Sequence, residues 1–369
     1  MINVSFLKKI QFPKLDLGFA FRPASFVGID IGSESVKVVQ LHREHERALL
    51  ETYGELKAER YFQKEAVATR AGFLTHLDQN FVDLLADVLR EANVTTKRAV
   101  FSIPATSGFL TVIAFPLMDS KELGAAVPFE AKRYIPIPIQ EVALDWQILE
   151  ADDITKRMMV LLAAVPREVV SKYERIAELL KLDLEAVEIE SFSLVRSLLS
   201  SDRGVTAVIN WGALVTTITV VDQRQIRMNH NFGRGSREIT LTLARSLGVA
   251  PERAEALKRS VGLSDKPEDR EVVSVIAPVV DTILIDLERV MMAYNRSARR
   301  KIEKVVLSGG GAGLAGLVSY VSKRLGLETI LANPFARTIF PPFLQPLLKE
   351  IGPNFAVAVG LALRQIAST

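Results

Sequence analysis

Asp30, Gly32, Ser33, Ser35 and Lys37 stand together in one short stretch, FVGIDIGSESVKVVQL, at residues 26–41. A carboxylate, a glycine, two hydroxyls and an ammonium at that spacing suit a phosphate and its hydrated cation. Glycine lets the backbone approach a ligand, and peptide N–H groups at a tight tip wrap an anion. Lys37 adds positive charge, and Asp30 suits a hydrated metal ion. The flanks predict how these groups are positioned. Residues 26–31 are apolar apart from Gly28 and Asp30, and residues 36–41 are rich in β-branched side chains. The pattern predicts strand, tight turn, strand, with Asp30 and Gly32 marking the tip. A plain surface turn has the same local pattern, so one copy decides little.

A second copy changes the weight. Residues 206–221 read TAVINWGALVTTITVV, and aligning Gly212 with Gly32 puts Asn210 over Asp30 and Thr217 over Lys37. Two such hairpins in two halves of one chain predict duplicated domains facing each other across a cleft. A third glycine-marked loop, Ser308-Gly309-Gly310-Gly311-Ala312-Gly313, follows an apolar strand-like run. It offers flat backbone and N–H donors at an expected helix start, over residues 314–326. No Gly-Lys-Ser/Thr follows, which excludes a Walker loop, and the dinucleotide fingerprint spacing is missing. A tight packing turn explains three glycines equally well.

Bulk composition narrows the partners. A chain of 369 residues suits about two domains at ~150 residues each. Hydrophobic content of 49% and charged content of 24% are those of a globular protein with a sizeable core. Without cysteine there is no disulfide framework and no thiolate metal site, which suits a reducing compartment. The net charge of +3 resides wholly in residues 1–24, where Lys8, Lys9, Lys14 and Arg22 oppose Asp16. The remaining chain is neutral, which argues against a nucleic-acid binder. His42 and His45 lie in a charged HREHER segment without further ligands at metal-site spacing. Residues 99–118, 204–221 and 305–322 lack charge, yet turn residues break each one at its middle, so none is read as a spanning helix. No apolar run follows the basic residues at the N-terminus, so no signal peptide is expected.

These signals divide the chain. Residues 1–25 are a basic, aromatic tail, either a disordered lead or a weak tether to membrane or partner. Residues 26–94 begin the first domain, with a third strand at 48–58 and a helix at 69–92. Residues 95–166 alternate strand, helix, strand, strand and predict an inserted α+β subdomain, its helix running from an Asp119 or Ser120 cap to Tyr134. Residues 167–203 complete the first domain, with Glu190 opening a helix. Residues 204–369 are the second domain, with a helical part at about 233–300, a possible kink at Pro278 and a closing helix at 354–367.

The three loops together resemble the actin-like ATPase superfamily: an α/β fold of two duplicated RNase-H-like domains around a nucleotide cleft. Within it the chain resembles the PilM family of type IV pilus assembly proteins, relatives of FtsA. The resemblance rests on residues 28–37, on Tyr134-Ile135-Pro136-Ile137-Pro138 with Asp145-Trp146-Gln147, on Ala254-Glu255 with Lys258, and on residues 307–311 with Asn333-Pro334-Phe335. It implies an ATP–Mg²⁺ site. Asp30, Gly32, Ser33, Ser35 and Lys37 would form the first phosphate loop and Asn210, Gly212 and Thr216 the second. Glu255 and Lys258 would hold the ribose, and Ser308, Gly309, Gly310 and Gly311 the adenosine, with Gly235 and Ser236 beside it. Glu190 would position water, and Mg²⁺ would be held through water by Asp30 and Asn210.

The resemblance further implies a cytoplasmic assembly scaffold at the inner-membrane face, binding the N-terminal cytoplasmic peptide of PilN in a groove beside the inserted subdomain. Motor or platform components and self-association are further partners it allows. Two departures matter. Asn210 replaces the usual Asp and loses a negative charge facing the metal, and Ser236 replaces a glycine. Weak or absent hydrolysis is therefore expected. An active ATPase, a membrane-bound FtsA-like filament former and an inert scaffold with a degenerate cleft remain the alternatives.

Overall fold

The computed structural model describes residues 25–45, 47–61, 79–199 and 203–366. Strands β1 (Ser25–Ile31) and β2 (Ser35–Glu44) form the first hairpin, with Asp30 opposite Lys37. β3 (Arg47–Lys57) pairs antiparallel with β2. Helix α1 (Gln79–Glu91) buries Phe81, Leu84, Leu85 and Val88, spaced three and four apart, and leads to β4 (Arg98–Ile103), parallel to β1. The helix expected over 69–92 lies outside the described residues before Gln79. So does the tail, except Ser25, which opens β1.

β5 (Phe109–Pro116), helix α2 (Ser120–Ala131), β6 (Val142–Asp152) and β7 (Arg157–Pro166) build a separate antiparallel sheet in the order β5-β7-β6. Asp119 caps α2 by accepting from the Lys121 and Glu122 N–H groups, while Glu122 accepts from the Asp119 N–H. The helix stops at Ala131, short of the expected Tyr134, and buries Leu123 and Val127 against Phe115 and Leu162. Helix α3 (Arg167–Leu179) follows, then β8 (Asp183–Ile189), parallel to β4, and helix α4 (Glu190–Leu198).

The second half repeats the plan with β9 (Thr206–Trp211), β10 (Thr216–Asp222) and β11 (Gln225–Phe232). Helices α5 (Ser236–Leu247), α6 (Pro251–Val261) and α7 (Arg270–Ser297) follow. Next come β12 (Lys304–Ser308), α8 (Leu317–Leu325), β13 (Glu328–Leu331), the two-residue β14 (Thr338–Ile339) and α9 (Gln345–Ala362). One sheet runs β14-β3-β2-β1-β4-β8 and the other β11-β10-β9-β12-β13. Apart from β14, which adds to the first sheet parallel to β3, three antiparallel strands are followed in both by two parallel ones, as duplication requires.

Helices α4 and α9 fill the space between the sheets, where Val100, Leu194, Val208, Val306, Val357 and Leu361 form one apolar cluster. The approach is so close that a Cβ on Gly28 would collide with the Ala358 carbonyl, and one on Gly360 with the Ser193 carbonyl. Buried Glu188 is held there by Arg196 and Arg364, whose guanidiniums keep its carboxyl ionised against the cost of burial.

Two local expectations are corrected. Helix α9 begins at Gln345, not 354, because Pro346 falls in its first turn, where proline is tolerated, and Pro353 sits inside it. The glycine loop does not open α8. Gly310–Gly313 is a short 3₁₀ turn, and the helix starts at Leu317. Helix α7 spans Pro278, which lies inside it. Among the described residues no helix is long and apolar enough to cross a membrane.

Candidate functional site

An open cleft of about 640 Å³ lies between the halves, and both hairpin tips line it through Gly32, Ser33 and Glu34 on one side and Gly212, Ala213 and Leu214 on the other. The tips share one turn: the Gly32 N–H donates to the Ser35 carbonyl at 3.0 Å, and the Gly212 N–H to the Val215 carbonyl at 3.0 Å. Asp30 lies at the cleft floor, accepting from the Ser102 hydroxyl at 2.8 Å. Burial pushes its carboxyl above the usual range, against the opposing pull of Lys37 and Ser102. Lys37 is buried beside it, 3.9 Å from Glu55. The Ser35 hydroxyl also turns to Glu55, at 2.6 Å.

Glu190 is the first residue of α4. Its Oε1 accepts from the Ala105 N–H at 3.0 Å, and its Oε2 accepts from Asn210 Nδ2 at 3.3 Å, so the two halves touch at the cleft floor. Burial pushes the Glu190 carboxyl up to about 7; the Ala105 N–H and Lys37 oppose the rise and Asp30 adds to it. Near neutral pH this group can accept or hold a proton, the property a water-positioning acid needs. A raised carboxyl binds its proton more tightly in the folded chain than in the unfolded one. The folded chain therefore loses stability as pH rises from about 4.5 to about 7, and carries the full penalty above that. Glu190→Gln removes the penalty. Urea unfolding should show it more stable than the parent by about 1–3 kcal/mol at pH 8 and indistinguishable near pH 4.5. Parallel pH profiles for the two proteins contradict the assignment.

Glu255 and Lys258 lie on α6 at the cleft rim, 2.6 Å apart, with Thr240 and Arg259 completing the cluster. Burial alone would raise the Glu255 carboxyl; Lys258, Thr240 and Arg259 override it and hold it at about 2. The Lys258 ammonium also donates to Thr240 at 2.9 Å. Ser236 lines the cleft while its N–H donates to the Gly212 carbonyl at 2.9 Å, seating α5 on the second tip. Gly309, Gly310 and Gly311 line the cleft as well. Gly309 has a φ of 86°, and a Cβ there would sit 2.6 Å from Asn210 Oδ1. A Cβ on Gly311 would collide with the Trp211 ring, so packing on β9 explains two of the three glycines.

Three expected site residues do not line the cleft. Thr216 is fully buried and donates to the Arg234 carbonyl at 2.9 Å; its neighbour Thr217 faces the cleft instead. Ser308 is buried and donates to the Pro353 carbonyl at 3.0 Å, bracing the glycine loop. Gly235 packs against the carbonyls of Gly212 and Ala213. The sequence reading missed Glu55, Thr217 and Asn354, which line the cleft. Glu55 pairs with Lys37 across β2 and β3, a contact readable only once the register is known.

The remaining residues fit a nucleotide with its metal. Among the described residues no group of three acidic or imidazole side chains could hold a metal ion. Paired glycine tips, a buried Asp30–Lys37 pair and a cleft within the ~300–1,000 Å³ range of small-molecule sites are consistent with a nucleotide.

Two repeated sheets clasping such a cleft make this the actin-like ATPase fold. MreB5 of Spiroplasma citri, solved bound to AMPPNP, shares the fold at 10% identity, with a TM-score of 0.52 over 93% of this chain and 96% of that one. The family model described as Type IV pilus assembly protein PilM matches residues 28–366, and the chain belongs to that family. It is similar to a chain of a PilM–PilN type IV pilus biogenesis complex, 25% identical over 94% of this chain and 99% of that one, with a TM-score of 0.78. The cell division protein FtsA of Streptococcus pneumoniae is 21% identical over 361 residues, 85% of this chain and 76% of that protein.

Proposed function

We infer that the protein is a nucleotide-gated assembly scaffold: it binds Mg²⁺–ATP in the cleft and a PilN-type cytoplasmic peptide beside the inserted subdomain, at the inner face of the inner membrane. The observation that carries the nucleotide half is the convergence of two like hairpin tips and the Gly309–Gly311 loop on one cleft. Backbone of the two tips and Lys37 would hold the phosphates, with Mg²⁺ held through water by Asp30 and Asn210. Glu255 and Lys258 would hold the ribose, and the glycine loop the base. When bound, the nucleotide supplies negative charge shared by both halves. Glu190 would hold a proton at the floor, while the amide of Asn210 would give the metal less charge than a carboxylate does. Slow turnover follows from that.

The peptide half is supported by family membership and by the likeness to the PilM–PilN complex. The inserted subdomain also leaves Phe129 72% exposed and Tyr134 41% exposed, with Lys132 over the Phe129 ring, a surface suited to an apolar peptide. Calorimetry with a synthetic PilN N-terminal peptide, with and without Mg²⁺–AMPPNP, tests the reading. We expect binding in both states, with affinities differing by about tenfold, and at least tenfold weaker binding for Tyr134→Ala. Absence of peptide binding in both states overturns the partner assignment.

A further inference from the structure

β11 is one of the strands through which the second half touches the first. Asn229 and Asn231 alternate along it and so share one face, and Arg227 lies on the same strand at a bulge in its pairing with β10. Each reaches a different part of the first half. Arg227 meets Glu150 of β6 at 3.4 Å, Asn229 Oδ1 accepts from the Ser191 hydroxyl at 2.8 Å, and Asn231 Nδ2 donates to the Ala105 carbonyl at 2.9 Å. Behind them the Thr219 hydroxyl donates to Asn229 at 2.8 Å and the Thr217 hydroxyl to Asn231 at 3.0 Å.

The Asn231 contact closes a ring. The Ala105 carbonyl accepts from Asn231, and the N–H of the same residue donates to Glu190. Glu190 accepts from Asn210, which lies opposite Thr217, and Thr217 donates back to Asn231. Glu190, Asn210 and Thr217 line the cleft; Ala105 begins the short turn that leads into β5 of the inserted subdomain. One residue thus carries, on its two backbone polar groups, the floor of the cleft and the seam to the second half.

We propose that Asn231 is a positioning residue that latches the root of the inserted subdomain to the cleft floor, so that ligand-driven movement of the hairpin tips shifts the peptide-docking subdomain. The ring is half-buried, and hydrogen bonds that share partners in this way strengthen one another, so losing one loosens the rest. The proposal rests on the nucleotide and peptide reading above and adds how the two sites communicate.

Two variants of equal charge change separate the latch from mere packing. Asn231→Asp keeps the acceptor for Thr217 but loses the donor to Ala105. Asn229→Asp keeps the acceptor for both of its hydroxyl partners. Neither residue lines the cleft. Full-length proteins are titrated with Mg²⁺–AMPPNP, and with the PilN N-terminal peptide in its presence and absence. We expect the roughly tenfold nucleotide effect on peptide affinity to fall below about twofold in Asn231→Asp and to persist in Asn229→Asp, with nucleotide affinity within about threefold of the parent in both. Coupling retained in Asn231→Asp, or lost equally in both variants, overturns the latch. A parent that binds both ligands without coupling overturns the latch and leaves both sites standing. A parent that binds no nucleotide overturns the underlying reading as well.

Discussion

Asp30→Asn should lower the affinity for Mg²⁺–ATP by about a hundredfold or more, equivalent to roughly 2.7 kcal/mol, without loosening the fold. The substitution keeps an oxygen to accept from Ser102 and removes only the charge. The Asp30 carboxyl is raised by burial, so at pH 7 its ionised form costs stability, and the cost grows as pH rises from 3.8 through the raised value. Removing it leaves thermal stability at pH 7 equal or higher, while Lys37 keeps Glu55 as a partner. Function lost as stability holds is what separates a binding residue from a structural one. Calorimetry and thermal melts on the same sample check both halves. Unchanged Mg²⁺-dependent affinity removes the first hairpin from the site.

Gly28→Val should have the largest effect on stability. Any Cβ at position 28 meets the Ala358 carbonyl and the Ala362 N–H of α9, which are backbone and cannot swing aside. Helix α9 must then lift from β1, opening the layer between the sheets, at a cost of about 3 kcal/mol. Since α9 also supplies Pro353 and Asn354 to the cleft, nucleotide affinity should fall with it. Gly360→Ala strikes the Ser193 carbonyl on the opposite face and should behave alike. A midpoint in thermal unfolding within 1 °C of the parent, where roughly 5 °C or more is expected, contradicts this packing.

The site was legible where its signal is local. A glycine between two β-rich runs marks a hairpin, and the alignment of Gly32 with Gly212 matches the registers: Asn210 pairs with Thr217 as Asp30 pairs with Lys37. What failed depends on register and on distant packing. Choosing Thr216 rather than Thr217 for the cleft was a one-residue slip, which in a strand turns the side chain to the other face. Glu55 carries no local mark; only the pairing of β2 with β3 sets it beside Lys37. Pro346 and Pro353 hid the first half of α9, because neither reads as helix until the contacts of that helix are known. Ser308 reads as a ligand contact, yet it braces a loop, while Gly311 both lines the cleft and fits under Trp211.

The central claim is that the tips at Gly32 and Gly212 share one phosphate group between them. A co-crystal structure of the full chain with Mg²⁺–AMPPNP tests it most directly. The account predicts phosphate oxygens in hydrogen-bond contact with backbone at both Ser33 and Ala213, and the base beside Gly310. A nucleotide held by one tip alone, or bound away from the gap between the sheets, contradicts it.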